Sequence, residues 1–183
     1  MIAKRLSVTQ ILPYVGAPIL CAALLILRAG KADVFSLLFG ELAIAFSYSA
    51  SVSDLRKKLI PNTIILAMLA SWAIVIMPQL FFDTDAALAT ALDSALGFAL
   101  GGGLFMVIYL ISRKGLGGGD VKLMAAAGLY LGYNGVLSSM FCGTLLAAVT
   151  VAVLMMMGKL GRKDTIPLAP FLCAGIIVTV FFQ

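Results

Sequence analysis

Four carboxylic acids in this chain, Glu41, Asp54, Asp93 and Asp120, lie within or at the ends of apolar segments. A charged side chain in such a place is costly and needs an explanation. Two aspartates on one face of a helical bundle can share a proton, so that one accepts a proton from water while the other donates to a scissile carbonyl. This aspartic-protease chemistry needs no metal, cofactor or histidine. The chain has no histidine, which excludes His-ligated zinc proteases and Ser-His hydrolases.

The neighbours of Asp54 and Asp120 allow both a functional and a structural interpretation. Asp120 follows the glycine-rich run 115–119, and glycines permit a positive φ and the close approach of another chain, such as an extended peptide. The alternative is a flexible turn in which Asp120 caps a helix. Asp54 precedes the basic run 56–58, and its alternative role is to balance those charges. Taken together, the two aspartates favour the paired chemistry.

The composition predicts the elements that hold these acids. Of the 183 residues, 62% are hydrophobic and 11% are charged, with a mean hydropathy of +1.12. Soluble domains have about a quarter of their residues charged, so lipid must cover most of this surface. The apolar runs are continuous, which favours helices over a barrel. We therefore predict an all-α, polytopic transmembrane helix bundle with six to seven spans.

We expect a single membrane domain, 1–183, in which residues 1–33 form an additional N-terminal helix and loop and residues 34–183 form the core. The first helix is interpreted as retained rather than as a cleaved signal peptide. The fifth apolar segment is short for a span of about 20 residues, so we expect it to be tilted, broken at Gly128 or Gly132, or packed inside the bundle. The seven apolar segments are 11–28, 34–53, 62–82, 88–112, 121–133, 136–157 and 166–182.

The basic residues predict the orientation. If the N-terminus is cytoplasmic and all seven segments cross, 11 of the 13 basic residues lie inside, and only Arg28 and Lys31 lie outside. Both Asp54 and Asp120 are then at the cytoplasmic face. Because the basic residues are spread over four loops rather than gathered in one patch, no nucleic-acid partner is indicated. Orientation in a lipid bilayer explains why the basic residues lie mostly in the loops on one side.

Three blocks of sequence resemble the type IV prepilin peptidases and their archaeal preflagellin relatives. Residues 54–62, Asp-Leu-Arg-Lys-Lys-Leu-Ile-Pro-Asn, are similar to the first catalytic aspartate of that family with its Ile-Pro-Asn turn. Residues 117–123, Gly-Gly-Gly-Asp-Val-Lys-Leu, resemble its GxGD motif, and residues 166–172 resemble the proline-bracketed start of its last helix. The three blocks occur in the family order, and the resemblance covers roughly residues 34–183.

The resemblance implies a membrane aspartyl endopeptidase that removes the basic leader from prepilins or pseudopilins at the cytoplasmic face of the inner membrane. The implied catalytic residues are Asp54 and Asp120. Larger members also N-methylate the product and carry an insert with paired CxxC motifs. This chain has no CxxC motif, so we expect peptidase activity without methyltransferase activity. The implied supporting residues are Gly117, Gly118, Gly119, Lys122, Pro61 and Asn62.

Three other functions stay open at this point. Presenilin-like and signal-peptide-peptidase-like proteases also use a GxGD aspartate, but they place the second aspartate in a Tyr-Asp pair, whereas Asp54 follows Ser53. A small transporter or channel subunit would use Glu41 and Asp93 as a proton path. A non-catalytic assembly factor would use both Asp54 and Asp120 as caps.

For Glu41 we expect a hydrogen bond to a neighbouring helix or a wet cavity, and for Asp93 a cap of the fourth segment. The sequence does not indicate the oligomeric state.

Overall fold

The protein folds as a bundle of α-helices. The computed structural model describes residues 16–28, 33–112, 115–159 and 166–183, which contain six helices and no strand. The second to fifth helices are long and apolar enough to cross a membrane, and the first and last are shorter apolar helices. This confirms the predicted multi-pass helical membrane bundle. The helices are α1 (Gly16–Arg28), α2 (Val34–Lys57), α3 (Asn62–Phe82), α4 (Thr84–Ile111), α5 (Gly118–Met156) and α6 (Ala169–Phe182).

The turns between helices follow from local sequence. Asp33 caps α2 by accepting a hydrogen bond from the Phe35 N–H at 3.2 Å. Lys58 ends α2 in the left-handed conformation, with φ at 50°. The extended Pro61 directly precedes α3 as its N-cap, one position before the first turn in which its fixed φ is commonly used. The additional N-terminal helix and loop were predicted over residues 1–33, of which residues 1–15 and 29–32 lie outside the described part of the chain.

Helix α5 is broken at Gly132, whose backbone angles (φ 65°, ψ −175°) are not helical. Only glycine adopts a positive φ at little cost. The sequence predicted two segments here, 121–133 and 136–157, with a possible break at Gly128 or Gly132. The structure confirms the second position. Every residue from 120 to 132 is buried except Lys122, so the short fifth segment packs inside the bundle rather than facing lipid.

The contacts of α6 show that the chain reverses at this break. The start of α6 lies beside Asp54, because the Ala169 N–H donates to the Asp54 carboxyl. The other end of α6 lies beside Leu131, whose carbonyl accepts a hydrogen bond from the Gln183 side chain at 3.2 Å. Residues 118–131 therefore run from the Asp54 end of the bundle to the opposite end.

The second half of α5 returns along α6. A Cβ atom on Gly143 would lie 3.1 Å from the Leu172 Cα, so the chain there is already level with the first turns of α6. Residues 133–156 consequently run antiparallel to α6 and bring the end of α5 back to the Asp54 end. The starts of α3, α5 and α6 and the ends of α2, α4 and α5 share that end of the bundle.

Helices α4 and α5 touch through their backbones. A Cβ atom on Gly97 would collide with the Gly128 carbonyl oxygen, and one on Gly101 would collide with the Met124 carbonyl oxygen. Close approach of this kind increases dispersion contact between helices in lipid, where the hydrophobic effect cannot draw helices together. The buried first half of α5 is thereby held against α4.

We expect Gly97→Ala to destabilise the protein by about 1–3 kcal/mol, because the added methyl group overpacks a backbone contact. The measurement is the free energy of unfolding in detergent or bicelles. Gly103→Ala is the matched control on the same helix, since a Cβ atom there meets nothing within 4 Å. Equal stability of the two variants would contradict the close α4–α5 contact.

Candidate active site

Asp54 lies in the last turn of α2 and is buried, with 8% of its surface exposed. Its main-chain carbonyl accepts the Lys58 N–H at 2.7 Å, which closes the helix end. The Ser53 hydroxyl donates to the Leu59 carbonyl at 2.9 Å and braces the turn that follows. The Asp54 Oδ2 atom accepts the Ala169 N–H at 3.2 Å. This carboxyl is therefore held from a different helix, at the start of α6.

Asp120 lies in the first turn of α5 and is 7% exposed. The N-terminal end of a helix favours a negative charge, since its first N–H groups have no helical partners. Asp54 interacts electrostatically with Asp120. Two carboxyl groups that interact in this way, both largely shielded from water, disfavour the state in which both are ionised. The pair therefore has the electrostatic requirement for sharing one proton.

One cavity of about 430 Å³ contains both acids. It opens at the end of the bundle where α2 ends and α3 and α5 begin. Seven of the eight sequence-predicted site residues line it, and the eighth, Pro61, lies between two lining residues. The lining residues are Asp54, Lys58, Leu59, Ile60, Asn62, Gly117, Gly118, Gly119, Asp120 and Lys122.

Lys122 and Asn62 join two helix starts across this cavity. The Lys122 ammonium group donates to the Asn62 Oδ1 atom at 3.1 Å, and Lys122 is exposed. The bond links the first turn of α5 to the first residue of α3. Both residues were predicted as supporting residues, and the structure brings them together beside the two acids.

The three glycines before Asp120 have different surroundings. A Cβ atom on Gly117 would lie 2.9 Å from the Asp120 Oδ2 atom, and one on Gly119 would lie 3.1 Å from the Ile60 Cβ. A Cβ atom on Gly118 would meet nothing within 4 Å. None of the three has a positive φ, and Gly118 and Gly119 already belong to α5. Of the two properties that glycine permits here, close approach explains the glycines at 117 and 119.

Sequence reasoning placed residues 166–172 in a family block but missed Ala169 as a site residue. Its contribution is a main-chain N–H, which carries no side-chain signature. The available signal was the pair of prolines, Pro167 and Pro170, that brackets it. Two prolines with a fixed φ restrict the backbone of the short segment between them, which indicates that the orientation of its N–H groups is constrained.

Asp93 does not cap the fourth segment as expected. Asp83 does so, by accepting the Ala86 N–H at 3.0 Å. Asp93 lies inside α4, and its Oδ1 atom accepts the Tyr133 N–H at 3.1 Å, immediately after the break in α5. The physical reason is that the reversal at Gly132 creates a new helix start whose N–H groups need an acceptor.

A second cavity, of about 330 Å³, contains Asp93 together with Arg28 and Gln183 at the opposite end of the bundle. Glu41 lies on α2 beside α1, where its main-chain carbonyl accepts a weak hydrogen bond from the Cys21 thiol at 3.7 Å. The expectation for Glu41 concerned its side chain, which this main-chain contact does not test, and the Glu41 Oε1 atom is buried without a hydrogen-bond partner among the described residues. Neither acid lines the cavity that contains Asp54 and Asp120.

The fold and the site define a multi-pass helical membrane protein with two buried acids in one end cavity. The family model described as the type IV leader peptidase family matches residues 41–158. The chain belongs to the type IV leader peptidase family.

Similar curated proteins carry related names. The chain is 33% identical over 133 residues to a prepilin leader peptidase/N-methyltransferase of Bacillus subtilis, covering 72% of this chain and 50% of the relative. It is 30% identical over 143 residues to one of Xanthomonas campestris, covering 76% and 49%, and 38% identical over 93 residues to the leader peptidase HopD of Escherichia coli, covering 47% and 60%. The chain spans about half the length of the first two relatives. No solved structure matches it.

We expect Asp93→Ala to lower the free energy of unfolding by about 0.5–1.5 kcal/mol, because the Tyr133 N–H at the α5 break loses its acceptor. Asp93→Asn is the matched variant, since its amide oxygen still accepts that N–H, and it should stay close to the parent protein. The measurement is the same unfolding experiment in detergent or bicelles. Equal loss in both variants would show that the charge of Asp93, rather than its acceptor, matters.

If the chain catalyses the leader cleavage for which its family is named, with Asp120 as a reacting group, Gly117→Ala should slow the reaction by about 10- to 100-fold, since small displacements of a reacting group have effects of this size. The added methyl group would push the Asp120 carboxyl aside without straining the backbone, whose φ is −77°. Gly103→Ala, where a Cβ atom meets nothing within 4 Å, is the control and should cleave at close to the parent rate. The measurement is the single-turnover cleavage of a leader-bearing substrate. Comparable rates for the two variants would contradict the placement of Asp120 against Gly117.

Proposed function

We propose that this protein is a membrane aspartyl endopeptidase that removes the basic leader from type IV prepilins or pseudopilins, with Asp54 and Asp120 as the catalytic pair. The single observation that carries the proposal is the common cavity. Two buried acids from separate helices, α2 and α5, line it together. Family membership supports the same reaction class.

The proposed reaction needs one proton between the two acids. The ionised carboxylate takes a proton from a water molecule, and that water attacks the scissile carbonyl carbon while the protonated acid donates its proton to the carbonyl oxygen. The carboxyl group that took the proton from water then donates it to the leaving nitrogen as the C–N bond breaks, and the other carboxylate takes up a proton from a hydroxyl group of the tetrahedral intermediate. The pair ends with one proton, as it began. Because one proton is shared between the two carboxyl groups in this proposal, the reaction needs a pair rather than two independent acids.

The shape of the cavity supports a peptide substrate. Gly118 offers open space beside Asp120, and an extended peptide needs backbone access to both acids. The cavity is at the end of the bundle, where a segment entering the membrane would meet it. A peptide bond just before an apolar helix is the substrate class that fits this position.

The charge distribution supports a cytoplasmic site in the inner membrane. Described basic residues at the Asp54 end are Arg56, Lys57, Lys58, Lys122 and Lys159. Arg28 lies at the opposite end, where its guanidinium donates to the Val180 carbonyl at 3.3 Å. The positive-inside rule assigns the end with more lysine and arginine to the cytoplasm.

We further propose that the chain lacks N-methyltransferase activity. The three cysteines of this sequence, Cys21, Cys142 and Cys173, are widely separated, so no CxxC pair is formed. The connection between α1 and α2 also holds only a few residues, which leaves no space there for an insert.

One observation favours a non-catalytic assembly role as the second candidate. The Asp54 carboxyl caps the start of α6 through the Ala169 N–H, and a purely structural cap would also be buried. The two functions differ in the effect of an amide substitution. Asparagine keeps an oxygen that can accept the N–H group, but it cannot take part in proton transfer.

Asp54→Asn and Asp120→Asn should each reduce leader cleavage by at least about 1000-fold, because either change removes the shared proton from the pair. The measurement is cleavage of candidate prepilins by the purified protein in lipid, read by gel shift and by N-terminal sequencing of the product. Asp93→Asn is the matched control, and it should cleave like the parent.

Two outcomes would contradict the catalytic pair. One is a folded Asp54→Asn variant that cleaves at close to the parent rate, which is the result expected from a structural cap. The other is a loss of activity in Asp54→Asn while Asp120→Asn stays active. Loss of activity in Asp93→Asn instead would favour a proton path through the opposite cavity.

A further inference from the structure

The first turn of α6 leaves one main-chain donor for Asp54. The first N–H groups of a helix have no partner within the helix. Pro170 has no N–H group, and the Phe171 N–H donates to the Leu168 carbonyl at 3.0 Å. Ala169 is fully buried, so water cannot satisfy its N–H, and that N–H donates to the Asp54 Oδ2 atom at 3.2 Å.

The sequence around Ala169 fixes the direction of this donor. Pro167 and Pro170 each have a restricted φ near −65°, and Pro170 lies in the first turn of α6. Few backbone conformations are then available to Leu168 and Ala169, the two residues between them. The donor is therefore placed by the backbone, and it does not rely on a flexible side chain.

We infer that the Ala169 main-chain N–H is a positioning group that orients the Asp54 carboxylate for the reaction. A carboxyl group rotates freely about its last side-chain bond, because that torsion has a broad preference. A hydrogen bond at Oδ2 stops this rotation and leaves Oδ1 for the attacking water or the shared proton. The inference rests on the proposed function, since it describes how the catalytic pair is aligned.

A backbone substitution tests this inference directly. Replacing Ala169 with lactic acid changes the amide to an ester, which removes the N–H while keeping the methyl side chain. The protein is made as the full chain in a cell-free system with lipid nanodiscs, and the substrate is a leader-bearing prepilin. The measurements are the single-turnover cleavage rate at saturating enzyme and the enzyme concentration that gives half of the maximal rate.

An ester at Phe171 is the matched control. The ester at Ala169 also weakens the Leu168 carbonyl as an acceptor, and the ester at Phe171 removes a hydrogen bond to that same carbonyl. Both variants therefore disturb the first turn of α6 by a similar amount. Only the ester at Ala169 removes the contact to Asp54. Thermal unfolding of both variants shows whether their stability is equally affected.

We expect the ester at Ala169 to lower the maximal single-turnover rate by about 10- to 100-fold, which is the range of a hydrogen bond to a charged group. The half-saturating concentration should stay within about twofold, because the contact does not touch the substrate, and the ester at Phe171 should cleave at close to the parent rate. Equal maximal rates for the two esters would overturn the inference. So would an ester at Ala169 that changes only the half-saturating enzyme concentration and leaves the maximal rate unaltered. A parent protein whose cleavage does not depend on Asp54 would instead overturn the proposed function itself.

Discussion

The hydrogen bond from the Ala169 N–H to the Asp54 carboxyl joins the end of α2 to the start of α6, and the cavity end of the bundle depends on it. In an apolar bundle, a buried N–H and a buried carboxylate are both costly when left without a partner. Each satisfies the other here. The same contact that completes a helix start also places one of the two acids, so structure and chemistry are linked at a single point.

The opposite end of the bundle follows the same rule. The reversal of α5 at Gly132 creates a helix start inside the fold, and the Asp93 carboxyl from α4 supplies the missing acceptor for Tyr133. Two aspartates thus cap helix starts that belong to other helices. One lies beside Asp120 in the cavity, and the other lies far from it. Capping alone therefore does not distinguish the proposed catalytic acid, because Asp93 also caps a helix start but is exposed. Asp54 is buried and has a second acid in the same cavity.

Glycine contacts connect these two ends. Gly97 and Gly101 allow α4 to touch the backbone of α5, so residues 118–131, most of which are buried, have little freedom to slide or rotate. Asp120 is at the start of that half-helix, and its position is set by the packing of the whole half-helix. Lys122 and Asn62 then hold the helix starts of α5 and α3 together across the cavity.

The amino-acid sequence determined the fold class, the number of apolar segments, and seven of the residues that line the cavity, because hydropathy, charge and short motifs are local properties. It also identified the break near Gly132 and the burial of the fifth segment as possibilities. The tertiary structure decided three things that are not local: the use of Ala169 as a main-chain donor to Asp54, the role of Asp93 at the α5 break, and the separate reasons for Gly117 and Gly119. Each depends on which backbone atoms of distant segments meet, and a main-chain N–H or an absent side chain leaves no mark in the sequence of its partner.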